Sequence, residues 1–173
     1  SLIIYKKMTT EDLATFKGEH YEINEAINQP KPLQKPHPPL WVCGGGEKVT
    51  LKLLAKYGDY GNWDVDVEGF ISKSEILKQH CERENRNYED VGRTLHTNVI
   101  IGTDKSDLNN KLEKISNDTG IPKDMYLKKP LVGVKNEVFD KIDEFESYGC
   151  VYLISYIADI VWGDTLDILK EKL

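Results

Sequence analysis

The run Gly44-Gly45-Gly46-Glu47 follows the apolar stretch Pro39-Leu40-Trp41-Val42-Cys43 and precedes residues with helical spacing. A strand, then glycines, then a helix is the physical recipe for an anion site. Glycines let the backbone approach a phosphate closely, and the helix start presents unpaired N–H groups and the positive end of its dipole. There is no third glycine for a GxGxxG dinucleotide loop and no GK[ST] for a nucleoside-triphosphate loop. Glu47 would place a carboxylate beside the anion, but a Glu in the first turn is equally a dipole-compatible residue that faces away. At this level phosphate binding and a plain tight strand-to-helix turn both account for the glycines.

A second constellation competes with the first. Asp64, Asp66, Glu68, Gly69 and Glu75 fall at positions one, three, five, six and twelve of a calcium-binding EF-hand loop, with Ile71 at the apolar eighth position. Such a loop should follow a helix, whereas Tyr57-Gly58-Asp59-Tyr60-Gly61-Asn62-Trp63 reads as a strand, so a solvated acidic turn before a helix explains the same residues. The four histidines, His20, His37, His80 and His96, share no metal-ligand spacing, and no metal site is expected. His96 alone lies mid-strand, where it would point into a barrel or be a satisfied core or surface histidine. Cys43 sits at the carboxyl end of its strand, where α/β active sites cluster, yet no neighbour in sequence would activate it, and a small buried residue is expected. Asp118-Thr119-Gly120 lacks the apolar strand that an aspartic protease signature requires.

Composition narrows the classes. The chain has 173 residues, 29 acidic against 23 basic, and a net charge of -6; with no basic stripe, nucleic acid and anionic membranes are disfavoured as partners. Three widely spaced cysteines, Cys43, Cys81 and Cys150, argue against a disulfide framework and fit a reducing cytosol. No apolar run approaches the roughly 18 residues of a membrane span, and the amino terminus lacks a signal-peptide pattern. A soluble cytoplasmic protein with one domain over residues 1–173 is expected. The chain opens at Ser1, inside what reads as an amphipathic helix, which suggests a fragment.

The elements that must position these residues follow from periodicity. Residues 1–14 read as a helix, and an extended piece starts at Tyr21 and Ile23. Residues 24–39, with Pro30, Pro32, Pro36, Pro38 and Pro39, form a polyproline-like connecting arm. Trp41-Val42-Cys43 reads as a strand buried on both faces. Val49, Leu53, Leu54 and Tyr57 then mark a helix ended by Gly58. A second strand spans residues 59–63, and a helix over 68–84 buries Phe70, Leu77 and Cys81. Residues 93–102 form the clearest strand, and Asp104 caps a helix carrying Leu108, Leu112 and Ile115. After a loop with Gly120, Pro122 and Pro130, a helix carrying Val138, Ile142 and Phe145 closes at Gly149. The strand 150–157 follows, then a helix opened by Asp164 with Leu166, Leu169 and Leu173. Four strand-helix repeats predict an α/β fold with parallel strands, either half of a (βα)8 TIM barrel or a small open sheet.

Taken together, residues 15–63 resemble the luciferase-like monooxygenase superfamily, especially its branch of coenzyme F-420-dependent oxidoreductases. The resemblance rests on the F-x-G-x-H-Y run from Phe16 to Tyr21, the P-K-P-x-Q-x-P-x-P-P arm from Pro30 to Pro39, and the glycine cluster with Glu47. It continues through Leu51, Ala55, Tyr57 and Asp59 to Asn62, and residues 131–154 are similar to a later family segment. Two departures are mild: Cys43 stands where the family more often has glycine or another small residue, and Glu84 to Tyr88 replaces a usual turn.

This resemblance implies a (βα)8 barrel of which the chain holds strands five to eight. It implies a cofactor-phosphate grip at Gly44, Gly45, Gly46, Glu47 and Thr50, and chemistry with coenzyme F-420 (a deazaflavin) or FMN: hydride transfer, or flavin reduction followed by oxygen chemistry on a small-molecule substrate. It assigns no catalytic residue, since the family's first four strands carry much of the ring pocket. Half a barrel has open strand edges, so a homo-oligomer or pairing with another chain through those edges is expected. Three readings remain: a flavin- or deazaflavin-dependent oxidoreductase, a non-catalytic half-barrel module that docks through its edges, and a calcium-binding domain.

Overall fold

The computed structural model describes residues 2–172; Ser1 and Leu173, the latter expected on the last helix, lie outside the described residues. Helix α1 (Leu2–Thr10) leads into a hairpin of β1 (Ala14–Lys17) and β2 (Glu22–Ala26), paired antiparallel. Strand β1 is absent from the sequence expectation, and α1 ends earlier than residue 14. The proline segment begins only after Ala26 and bends over residues 33–38, so it is not an extended arm from residue 24. It is tied back to α1: the Lys31 ammonium donates to the carbonyls of Met8 and Glu11, satisfying acceptors at the helix's carboxyl end.

The chain then enters the main sheet. Strand β3 (Trp41–Cys43) is followed by α2 (Thr50–Tyr57), β4 (Tyr60–Trp63), α3 (Val67–Arg83) and β5 (Gly92–Gly102). Next come α4 (Lys105–Thr119), α5 (Lys123–Leu127), β6 (Leu131–Val134), α6 (Lys135–Ser147), β7 (Cys150–Ile157) and α7 (Thr165–Lys170). All pairings in this sheet are parallel: β3 with β4, β4 with β5, and β5 with both β6 and β7. Thr94 and Leu95 pair with both β4 and β7, and Val99 pairs with both β6 and β7. Strands β4 and β6 therefore follow one another along one edge of β5, with β7 along the other. Strand β6 is not among the four strands that the sequence predicts; with four residues between Pro130 and a helix, it is too short to display a period.

Helices cover one face of the sheet. Leu51, Leu54 and Ala55 of α2, Phe70, Leu77 and Cys81 of α3, and Val138, Ile142 and Phe145 of α6 pack with Trp63, Leu95 and Val99 into the principal core. Each fully buried large side chain contributes about 1.5–3 kcal/mol, which fixes which helix face turns inward. For α2 that face is Leu51, Leu54 and Ala55; Val49 and Leu53, which mark the helix in the sequence, are exposed. A smaller cluster joins Ile100 to Leu112, Ile115 and Tyr126. The α3 and α4 amino termini are capped as their sequences demand: Asp66 Oδ1 accepts from the Gly69 N–H, and Asp104 Oδ1 from those of Ser106 and Asp107. No helix among the described residues is long and apolar enough to cross a membrane.

Candidate functional site

The face of the sheet opposite the helices carries a different set of side chains. On it lie Trp41 and Cys43 of β3, Tyr60 and Asn62 of β4, Thr94, His96 and Asn98 of β5, and Tyr152, Ile154 and Tyr156 of β7, matched across the strands by their register. Trp41 stacks on Tyr60 with ring centroids 4.5 Å apart, and Tyr152 meets both rings edge-on. Much of this surface is open: Trp41 is 38%, Tyr152 58% and Tyr156 61% exposed. Strand β3 is consequently an exposed edge rather than a strand buried on both faces, and Cys43 is exposed rather than buried. Both differences have one physical cause, namely that residues patterned for a barrel interior meet no facing strands within this chain.

Above the aromatic layer runs a polar ladder. Thr94 Oγ1 donates to the Gly61 carbonyl, lies 2.9 Å from Asn62 Oδ1, and Asn62 Nδ2 reaches Cys43 Sγ at 3.9 Å. Farther along β5, His96 is half-buried on this same open face, its ring 5.0 Å from that of Tyr156, so it is not a core histidine. The other histidines are dispersed: His20 is exposed beside Glu19, and His37 donates to the Pro38 carbonyl near Tyr5. His80 donates from Nε2 to the Glu47 carbonyl at 2.8 Å.

The glycine turn sits at the carboxyl end of β3. Gly44 has φ +107, a conformation that side chains rarely adopt, and its N–H donates to the Asn62 carbonyl. Among the described residues, the N–H groups of Gly45, Gly46, Glu47, Lys48 and Val49 find no acceptor within the chain; the next one, from Leu51, returns to the Gly46 carbonyl. The start of α2 has no side-chain cap. Thr50 closes the turn from above: a Cβ on Gly46 would lie 2.9 Å from its Oγ1, and one on Gly44 3.8 Å from its methyl. Gly44, Gly45, Gly46 and Thr50 thus share one tight turn, while Glu47 beside it is exposed. Donors that are unspent and clustered on glycines fit a phosphate.

Sequence reasoning missed one participant. The Lys73 ammonium, from the second turn of α3, donates to the Gly45 carbonyl at 2.9 Å. Its residue number lies 28 beyond the glycine, and no local pattern announces the contact. The acidic constellation, by contrast, disperses. Asp66 is the α3 cap, Asp64 pairs with Lys129 at 2.6 Å, and no group of three or more metal-ligating side chains occurs among the described residues.

Comparison with known proteins agrees with this architecture. The family model described as luciferase-like monooxygenase matches residues 1–130. The chain belongs to the luciferase-like monooxygenase family. It is 30% identical over 77 residues, 42% of this chain and 20% of the relative, to the FMNH(2)-dependent dimethylsulfone monooxygenase of Pseudomonas putida. Among solved structures it superposes on an F420-dependent secondary alcohol dehydrogenase in complex with an F420-acetone adduct, with a TM-score of 0.75 and 14% identity. That match covers 98% of this chain and 57% of the dehydrogenase. The coenzyme F420 dependent tetrahydromethanopterin reductase from Methanopyrus kandleri gives a TM-score of 0.73 at 13% identity, covering 95% of this chain and 58% of the reductase. At such identities the likeness establishes the fold: this luciferase-like chain is a partial TIM barrel, spanning somewhat over half the length of these structural relatives and a fifth of the curated one.

Proposed function

We propose that this chain is the cofactor-gripping part of a luciferase-like oxidoreductase that works with coenzyme F-420 or FMN on a small-molecule substrate. The observation that carries the reading is the turn from Gly44 to Thr50, where consecutive N–H groups without acceptors stand at the end of a barrel strand and the start of a helix. Gly44, Gly45 and Gly46 keep that turn open, Thr50 supplies a hydroxyl, and the carboxylate of Glu47 stays in solvent. When bound, the cofactor would supply hydride transfer, or reduced-flavin chemistry with oxygen. The chain's own residues hold the phosphate end and present the open sheet face, with its Trp41, Tyr60 and Tyr152 cluster and the polar ladder of Cys43, Asn62 and Thr94. We assign none of them a proton-transfer role. Fluorescence quenching of FMN or coenzyme F-420 on titration with the protein tests the reading; no binding at high micromolar concentration would overturn it for this chain alone.

The open face also favours a second feature of the reading. Strands β3 and β7 are both edges, and the surface between them carries an exposed aromatic cluster beside a polar ladder, so a complementary set of strands, from a second copy or another polypeptide, would complete the pocket. A light-scattering mass equal to the monomer would count against self-pairing.

A further inference from the structure

We propose that Lys73 is the charged arm of the glycine turn and contacts the cofactor phosphate directly, an inference that rests on the phosphate-grip reading above. Three observations converge on it. First, the ammonium is delivered to the turn by its bond to the Gly45 carbonyl, which occupies only one of its three N–H donors. Second, it has no carboxylate within ion-pairing distance among the described residues, unlike Lys56 with Glu84 or Lys129 with Asp64. A half-buried cation held against backbone without a counter-ion is short of negative charge, and the loop it touches is short of acceptors. Third, the end of the lysine lies over the bare face of Gly45: a Cβ there would stand 2.6 Å from both Cε and Nζ of Lys73, so a side chain at position 45 would shift the ammonium from where it now sits.

His80 pins the other side of the turn through the Glu47 carbonyl, seven residues along the same helix. Helix α3 therefore fixes the turn at two points, and of the two side chains Lys73, with three N–H donors, is the one with donors to spare. A charge-assisted hydrogen bond to phosphate is about twice as strong as a neutral one, and on a turn that otherwise offers only backbone N–H groups and one hydroxyl it decides the affinity for the anion.

The test compares flavins with and without the phosphate. Dissociation constants for FMN and riboflavin, and for coenzyme F-420 and its phosphate-free chromophore, are measured by fluorescence on the full chain and on Lys73→Met, Lys73→Arg and Gly45→Ala, each checked for folding by circular dichroism. The unaltered chain is expected to prefer the phosphorylated ligand. Lys73→Met should weaken that ligand by roughly tenfold or more, leave the phosphate-free one unchanged, and be rescued by Lys73→Arg. Gly45→Ala, which displaces the lysine without removing it, should act in the same direction. If Lys73→Met keeps the full phosphate preference, or weakens both ligands equally, the role of Lys73 is overturned while the phosphate grip stands. If the unaltered chain shows no preference, the grip itself falls and this inference with it.

Discussion

The Trp41 indole lies on the Tyr60 ring, 4.5 Å between centroids and 14° from parallel, across the β3–β4 pair and on the face that no helix covers. Strand β3 has only three residues, so this stack and the contact with Tyr152 supply much of what holds it in register. Trp41→Ala is expected to lower stability by about 1–2 kcal/mol and Trp41→Phe by under half of that, read by urea denaturation.

Asp66 accepts from the Gly69 N–H at the start of α3, and Asp64 is held by Lys129. Loss of the cap in Asp66→Ala should cost about 1 kcal/mol. Added calcium should leave the melting temperature of the unaltered chain where it is; a calcium-dependent rise abolished by Asp64→Ala would restore the EF-hand reading.

Lys111 is buried and donates to the Ile101 carbonyl and to Asp164, with Asp107 at 3.3 Å. Burial alone would lower its pKa, but the bonds to Asp164 and Asp107 outweigh it and raise the value. Lys111→Met strands the Ile101 carbonyl and should destabilise by about 2 kcal/mol, roughly 4–8 °C in melting temperature.

The same cluster predicts an acid limb. Burial pushes the Asp107 carboxyl up, yet the Thr103 N–H and the Lys111 ammonium together hold it below its ordinary value. Its folded pKa is thus depressed, so the stability it adds is complete above the ordinary aspartate value and is lost as pH falls through the lowered one, below about 4. Asp107→Asn should flatten the fall of melting temperature between about pH 4 and pH 2.

Asp159 is fully buried, and its Oδ2 accepts from the Thr165 hydroxyl at 2.8 Å while that hydroxyl accepts from the Ile101 N–H at 3.1 Å. The relay joins the loop after β7 to the end of β5. Thr165→Val keeps the volume but deprives both partners, and should cost about 2–4 kcal/mol in thermal or chemical denaturation.

Much of this architecture is legible in the amino-acid order where one element spans several periods. Strand β5 and helices α3 and α4 declare themselves through β-branched content, apolar spacing and, for α4, the cap at Asp104; the cap at Asp66 emerges only in the folded chain. Short elements are legible only where glycines or prolines frame an apolar run, as at β3 and β4; β1, β6 and α5 have four or five residues each and show no period. The inward face of α2 is not decided by its own residues, because Val49 and Leu53 are as apolar as Leu51 and Ala55, and only the neighbours decide which stripe is covered. The glycine turn was visible at once, but its lysine was not, since α3 meets the turn only after the chain has folded β4 beneath it. An unbroken apolar run around Trp41 and a small Cys43 predict burial, but the facing strands that would cover them do not occur within the described residues.

Strand β7 runs for eight residues and, among the described residues, bonds only to β5. Its free flank offers a row of unspent donors and acceptors bordered by Tyr152, Ile154 and Tyr156, which is the template on which a stray extended segment adds. Colloidal behaviour should accordingly be set at this border: the protein's usable concentration in solution will depend on what occupies the flank of β7 before its thermal stability becomes relevant.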